Sequence, residues 1–419
     1  MLQPKIILGI SSKGELLTLY DCFENHRTGG SSGLVTSRFY VSRFFKGAHF
    51  TSPELVRFSS LSVHYTGLDE WVNTSGFEIL YPKEEEDVIV KYKRPAPIEI
   101  PVDENWTVVL NFSCTYPSRT RVQTEAVIRQ KAYVTIRTAG ERTLDEYLDF
   151  VYDIRDFLTL AAMDTVYPLD IHALTEINKE KMNEGWYYPP VEMYFRQLEV
   201  PSSSSGFYDF FMLFTFYDIY DQIRSVIARW FETRESLRPV RDLYFGTLYN
   251  PEAYLQQKFL SLAQALESYH RTRVKALESP EDEHRKRKAR ILDKADQQDR
   301  SWLEEKLRWS NEVTFRTRMK DLLHDLSDVV PEIIGDPDKL ANQVVDTRNY
   351  LTHYDPKLKD QAASVHELME ITERLKTVLH ACLTAELGLG KSMVRFLFAK
   401  NWRYQQMAAR FKRRQSGTR

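Results

Sequence analysis

The chain has little of what disulfide-bonded or metal-binding proteins need. Its 419 residues include three cysteines, Cys22, Cys114 and Cys382, which are far apart and form no CxxC motif. An odd number of dispersed cysteines indicates reduced thiols rather than a disulfide framework or a zinc site. His, Asp and Glu do not cluster at ligand spacing either, so we predict no metal and no cofactor.

Long apolar runs are also missing. The first residues, MLQPKIILGISSKGELL, contain an apolar run of about four residues, which is too short for the core of a signal peptide. The most apolar segment, Phe207–Tyr220, is shorter than a membrane span and contains Asp209 and Asp218. We therefore expect a soluble, cytoplasmic protein with no membrane partner.

The chain has no large excess of either sign of charge, because its 57 Lys and Arg nearly balance its 59 Asp and Glu. A nucleic-acid surface would have to come from local clusters. His284–Arg290 is basic but has acids on both sides, whereas Lys391–Arg419 has nine Lys and Arg, five aromatic residues and no acid. That segment could follow an RNA backbone and stack on bases, or form a final helix with its aromatic side chains packed inward. The two interpretations are compatible.

Composition and pattern together predict two domains in an α+β multidomain fold. Hydrophobic residues make up 42% of the chain and aromatic residues 13%, enough for two packed cores. The first 140 residues or so hold short, alternating β-branched and aromatic segments separated by Gly, Ser, Pro and Asn. They predict a β-rich, sandwich or barrel-like domain over residues 1–217. From about Asp218 the periodicity is helical, which predicts an all-α domain over residues 218–419.

Local signals predict several element ends. Thr143 and Glu146 form a capping-box signature before a helix that runs to about Met163. PSSSSG, at Pro201–Gly206, predicts an exposed loop. Pro251 suits the first turn of a later helix, and Gly388 suits the end of the last long one.

The candidate catalytic residues lie in the segment DTRNYLTHYDP, Asp346–Pro356. Arg followed by His after four to six residues is not rare in this sequence. It occurs at Arg348/His353 and at Arg43/His49, Arg57/His64, Arg318/His324 and Arg374/His380. The first two of those others lie in the β-rich half. Arg318/His324 and Arg374/His380 lie in predicted helices, where a spacing of six residues turns the histidine about 240° from the arginine around the helix axis. Only the Arg348/His353 pair has four intervening residues, and Pro356 predicts that its helix ends near His353.

These residue types suit RNA cleavage by the ribose 2′-hydroxyl. Histidine can act as base or acid at cellular pH, and the planar fork of arginine matches two phosphate oxygens. Asn349 adds one hydrogen bond, and the scheme requires no metal. The alternative is structural: Arg348 pairs with Asp346 or Asp355, and His353 caps the helix C-terminus. One histidine supplies only one of the acid and base that the reaction uses. A homodimer with two such sets in one cleft is therefore expected.

Two further stretches give a resemblance to a known family. The Arg-Asn-x-x-x-His arrangement, together with FLSLAQALESYHR (Phe259–Arg271), resembles the HEPN superfamily, and in particular the C-terminal domain of ApeA-like anti-phage proteins. GLDEWVNTSGFEI (Gly67–Ile79) resembles the signature of ApeA N-terminal domains. Trp71 and Phe77 of that stretch are either a recognition surface or core residues beside a turn.

The resemblance implies a dimeric, metal-independent HEPN endoribonuclease that leaves 2′,3′-cyclic phosphate ends and acts in phage defence. Arg348 and His353 match its catalytic positions, Asn349 matches the polar position after the arginine, and Glu267 matches an acidic position on an earlier helix. The alternative to a role in the site is that Glu267 is solvated or pairs with Arg271. The resemblance further implies an N-terminal domain that regulates the ribonuclease in response to a phage-derived trigger. It also implies that RNA is the partner. One candidate is tRNA, whose cleavage would arrest translation in abortive infection. The rival function is a non-catalytic HEPN-type module that binds RNA or protein. A metal-dependent nuclease is a third possibility.

Overall fold

We describe the chain from a computed structural model over residues 5–29, 35–82, 88–117, 123–183, 185–195 and 207–415. The predicted loop Pro201–Gly206 lies outside these ranges. Contacts divide the chain into two compact units, Met1–Phe231 and Glu232–Arg419. Each unit is described by itself.

The first unit is built on β-strands joined by short turns. Its strands are β1 (Lys5–Ile10), β2 (Leu16–Gly29), β3 (Val35–Lys46), β4 (Arg57–Tyr65), β5 (Phe77–Leu80), β6 (Ile89–Tyr92), β7 (Ile98–Pro101), β8 (Trp106–Thr115), β9 (Arg129–Thr143), β10 (Pro168–Leu174), β11 (Glu180–Met182), β12 (Gly185–Tyr187) and β13 (Val191–Phe195). Its helices are α1 (Leu68–Val72), α2 (Leu144–Ala162) and α3 (Ile223–Glu232).

Nine of these strands form one antiparallel sheet in the order β1-β2-β3-β13-β10-β4-β9-β8-β7, while β5-β6 and β11-β12 pair separately. At the centre, Val63 on β4 lies opposite Val134 on β9 and Ile171 on β10. All three side chains are buried. The β-branched residues that predicted strands here therefore also form the core of the unit.

Helix α2 packs on β4 and β9 and completes that core. The predicted capping box is confirmed, because the Thr143 hydroxyl accepts from the Glu146 N–H and the Glu146 carboxylate accepts from the Thr143 N–H. Tyr147, Val151 and Phe157 recur at helical spacing and are buried. The fold class, a β-rich part followed by a helical part, is confirmed.

The second unit is helical. Its helices are α4 (Arg234–Leu248), α5 (Leu255–Arg273), α6 (Glu281–Lys294), α7 (Gln297–Lys306), α8 (Phe315–Leu326), α9 (Pro331–Ile334), α10 (Pro337–His353), α11 (Val365–Ala385), α12 (Lys391–Lys400) and α13 (Trp402–Gln415). Helix α5 packs against α4, α11, α8 and α10, so it is the central element of the unit. Its residues Phe259, Leu262 and Leu266 are buried. Of the described helices, none combines the length and the apolarity that a bilayer crossing needs.

One predicted helix start is wrong. Pro251 does not lie in the first turn of α5, because the Ala253 N–H donates to the Asn250 carbonyl in a separate turn and the helix begins at Leu255. At the other end of the unit, α11 ends at Ala385, and Gly388 follows in the left-handed region with φ 81°.

Candidate active site

Helix α10 presents the Arg-Asn-x-x-x-His segment, and its ends are well defined. The Asp336 carboxylate accepts from the Lys339 N–H at 3.0 Å and caps the first turn. At the other end, Tyr354 is left-handed (φ 50°, ψ 32°), and its N–H donates to the Tyr350 carbonyl at 2.6 Å. A left-handed residue stops a helix, so His353 is the last residue of α10. The predicted helix end is confirmed.

Arg348 is held by a ring rather than by a carboxylate. Its guanidinium carbon lies 5.3 Å from the centre of the Phe315 ring, and Nη1 donates to the Asn349 side-chain oxygen at 3.4 Å. Within the described ranges Arg348 forms no ion pair, and the side chain is half-buried. A cation stacked on one face keeps the outward edge of its fork available for an anion.

The alternative ion pairs for Arg348 do not form. Asp346 instead accepts from Nη2 of Arg316 at 2.7 Å, which joins α10 to α8. Asp355 accepts from the Lys357 N–H at 3.0 Å and caps the short turn that follows α10. Both nearby acids therefore have other partners, and that part of the structural alternative is wrong.

His353 is exposed at the end of α10. Its imidazole makes no hydrogen bond or ion pair with the part of the chain that the structure describes. Arg348 and His353 are five residues apart on one helix, so they are turned about 140° from each other and lie about 7.5 Å apart along its axis.

Glu267 lies on α5, which packs beside α10, but it touches neither Arg348 nor His353 through a hydrogen bond or ion pair. Its carboxylate is 3.5 Å from Nη2 of Arg271, and Arg271 also bonds Glu312. The pairing with Arg271 expected under the structural interpretation is thus present. A catalytic role for Glu267 stays a prediction.

His270, also on α5, has a structural position. The side chain is 2% exposed, and its Nδ1 faces Nη1 of Arg318 at 3.4 Å. Because arginine only donates, Nδ1 accepts and Nε2 carries the proton, directed at Asp321 3.6 Å away. Burial, with the Arg318 charge, lowers the pKa of His270 despite the opposing effect of Asp321.

The two other helical Arg/His matches differ from Arg348/His353 in burial. Arg318 is buried whereas His324 is exposed. On α11, Arg374 lies over a ring of α13, and His380 bonds the Tyr244 hydroxyl in the core. Each pair has at least one member buried in the core, so neither pair is presented to a substrate.

Trp71 of the N-terminal signature is a core residue. It is 3% exposed and makes edge-to-face contacts with Phe157 and Phe216. Phe77 is half-buried on β5 and packs against Tyr92. The interpretation of Trp71 as a recognition surface is wrong.

The basic C-terminal segment packs part of its aromatic content. Phe398, Tyr404 and Phe411 are buried, whereas Phe396 and Trp402 are exposed.

Among the described residues, no group of three or more His, Cys, Asp and Glu side chains is placed to hold a metal ion.

A large antiparallel sheet followed by a helical unit with an Arg-Asn-x-x-x-His helix end defines a two-part protein with a HEPN-type domain. Family models agree: one described as ApeA N-terminal domain 1 matches residues 3–230, and one described as Apea-like HEPN matches residues 260–392. The first alone covers more than half of the chain, so the chain belongs to the ApeA family. No curated protein and no solved structure shows a significant match. HEPN domains are generally ribonucleases, so the family indicates a nuclease or RNA-related role in defence.

Proposed function

We propose that the chain is a metal-independent endoribonuclease of phage defence, with a site formed by Arg348, Asn349 and His353. One observation carries the proposal. The Arg348 guanidinium is stacked on Phe315 without a carboxylate partner in the described ranges, on the same helix as an exposed terminal histidine. A structural arginine at this position would be expected to pair with Asp346, which is instead bonded by Arg316.

The reaction that these groups suit is transesterification. The 2′-oxygen bonds to phosphorus while the bond from phosphorus to the 5′-oxygen breaks. The proton of the 2′-hydroxyl passes to a base, and the 5′-oxygen takes a proton from an acid, leaving a 2′,3′-cyclic phosphate and a 5′-hydroxyl. His353 is the acid or base, Arg348 binds the non-bridging oxygens, and Asn349 orients the guanidinium or the phosphate.

A second chain completes the site in this proposal. Because Arg348 and His353 diverge by about 140° around α10, one chain does not direct both at a single phosphate without help from another. Two copies related by a two-fold axis would place the arginine of each near the histidine of the other and supply both acid and base. Glu267 would then act through Arg271 as a positioning residue.

Helix α6 has the surface best suited to an RNA backbone. Its outward face has four exposed cations without an ion pair in the described ranges: Lys286, Arg287, Arg290 and Lys294. Glu283 lies one turn before Arg287, and α6 buries no residue. Unpaired exposed cations bind phosphates, and the affinity falls steeply with salt. Helix α7 and the residues that follow it join this helix to α8, which carries Phe315 and Arg316.

The β-rich unit is proposed to regulate the ribonuclease in response to a phage-derived trigger, with tRNA cleavage arresting translation. The candidate surface lies beside the family signature. Tyr208 and Phe210 are exposed and stacked on each other, and the neighbouring Asp209 accepts from Asn73. Phe210→Ser should abolish protection against phage while leaving the protein folded. Protection equal to wild type would exclude this surface.

The ribonuclease is tested by expressing wild type, Arg348→Ala and His353→Ala with and without phage challenge. Cellular RNA is then sized and its ends are mapped. Wild type should produce fragments ending in 2′,3′-cyclic phosphate, and both variants should not. Sedimentation over a dilution series, read together with activity, tests the dimer.

Three outcomes count against the proposal. RNA that stays intact in every condition, with RNA binding preserved, indicates the non-catalytic HEPN module instead. Activity lost in EDTA and restored by a divalent cation indicates a metal-dependent nuclease. Full activity of a monomer excludes the shared site.

A further inference from the structure

A cavity of about 400 Å³ opens beside the end of α10. It lies between the first turns of α5 and the residue that follows His353. Its lining residues are Tyr254, Gln256, Gln257, Leu260, Ser261, Gln264 and Tyr354. Nothing in the proposed cleavage chemistry uses these side chains.

The lining suits a flat, neutral ligand with hydrogen-bonding edges. It has no charged side chain, so it is not a phosphate site; Arg348 supplies that function on the neighbouring helix. Gln257 and Gln264 are exposed, and their amides make no hydrogen bond with the described part of the chain. A carboxamide both donates and accepts, which is how proteins read the edge of a nucleobase.

Two aromatic rings also line the cavity. Tyr254 is 81% exposed and Tyr354 is 63% exposed. Exposed tyrosines form stacking platforms for the unpaired bases of single-stranded RNA. The volume is within the range of small-molecule sites and accommodates a single splayed nucleoside.

The backbone at Tyr354 is the most informative feature. This residue is left-handed, a conformation that glycine or asparagine adopts at helix ends at lower cost. Its ring packs edge-to-face on Tyr350, with ring centres 5.6 Å apart, which orients it at the mouth of the cavity. Tyr354 thus lines the cavity and directly follows the exposed His353. Strain kept at such a position points to function.

We propose that this cavity is a base-recognition subsite that binds the nucleobase next to the cleaved phosphate. The inference rests on the proposed ribonuclease activity and deepens it. Tyr354 and Tyr254 stack on the base, the amides of Gln257 and Gln264 read its edge, and the phosphate is thereby positioned at Arg348 and His353. Cleavage is accordingly selective for one base rather than uniform along the RNA.

The test uses the full-length chain and single-stranded oligonucleotides that differ only in the base before one cleavable phosphate. Gln264→Ala and Gln257→Ala should reduce the preference in kcat/KM between best and worst base by about tenfold or more, mostly by slowing the best substrate. Gln298→Ala, an exposed amide on α7, is the matched control and should leave the preference unchanged. Tyr354→Gly should be as stable as wild type or more stable, because it relieves the left-handed strain, yet lose about tenfold in affinity.

Binding is measured separately from cleavage in the His353→Ala background. An oligonucleotide with 2-aminopurine at the recognised position should lose fluorescence on binding, and Tyr354→Gly should remove that quenching. If wild type cleaves RNA but Gln257→Ala, Gln264→Ala and Tyr354→Gly keep its base preference, the subsite is wrong while the ribonuclease stands. If these variants instead dissociate the dimer without changing base preference, the cavity is a contact between chains, and the proposal is overturned. If no RNA is cleaved and 2-aminopurine is not quenched, both proposals fail.

Discussion

Replacement of Arg348 by alanine separates a catalytic from a structural arginine. In the structure its side chain makes one ring contact and one long hydrogen bond, to Phe315 and Asn349, and no ion pair within the described ranges. A cation–π contact that is partly open to solvent contributes about 1 kcal/mol, so we expect Arg348→Ala to lower the free energy of unfolding by about 1 kcal/mol. In a domain of this size that lowers Tm by about 2–4 °C.

The loss of activity should be much larger than the loss of stability. Removing one well-placed donor to a transition-state oxyanion costs about 3 kcal/mol, which is a rate decrease on the order of 100-fold. Arg348→Lys keeps the charge but not the planar fork, so it should recover only part of that rate. The assay is single-turnover cleavage of a labelled RNA, with thermal unfolding measured on the same samples.

Arg316 provides a matched control, because it also joins α8 to α10. It bonds Asp346 and Asn342 on α10, so Arg316→Ala should reduce stability by about 1 kcal/mol, like Arg348→Ala, but reduce activity less than tenfold. Equal losses of activity in the two variants would show that Arg348 acts through packing. So would a Tm decrease in Arg348→Ala of more than about 10 °C.

Three further predictions concern stability and RNA binding. Trp71→Ala should destabilise the β-rich unit by about 3–5 kcal/mol in denaturant unfolding, since it leaves a cavity in the core; a loss below about 1 kcal/mol would contradict its assignment as core. The lowered pKa of His270 means that the unfolded chain binds a proton that the folded chain excludes. The stability that this residue contributes is therefore fully present above its ordinary pKa of 6.5 and is lost as pH falls toward its lowered pKa in the folded chain. His270→Phe should flatten that part of the curve of stability against pH. The double variant Arg287→Gln, Arg290→Gln should reduce the slope of log affinity against log salt for single-stranded RNA by about 1.4, because each lost phosphate contact reduces it by about 0.7. Lys391 is already paired with Asp325, so the control variant Lys391→Gln should leave the slope unchanged.

Local chemistry made several features of the fold predictable. The capping box at Thr143 and Glu146 and the stop before Pro356 depend on residues within one or two turns of each other, so they can be read directly from the chain. The start of α5 could not, because the turn at Asn250–Ala253 competes with a helix that Pro251 would also permit. Both conformations satisfy the local rules, and the surrounding packing selects one.

The candidate site shows the same division. Sequence alone singled out Arg348, Asn349 and His353, because their order and the following proline are local. It left open whether Arg348 pairs with Asp346, and that choice depends on residues more than thirty positions away. Phe315 and Arg316 reach α10 only through the packing of α8, and no spacing in the chain signals such a contact.

Periodicity, capping and proline geometry therefore made three features predictable from the chain alone: the kinds of element, the β-rich and helical halves, and the helix end at His353. The packing of distant segments was needed to show that Trp71 is core, that Arg348 has no carboxylate partner in the described ranges, and that Tyr354 and α5 line a cavity beside His353. The physical reason is that ion pairing and cavity formation depend on side chains from distant helices competing for the same space and the same charges.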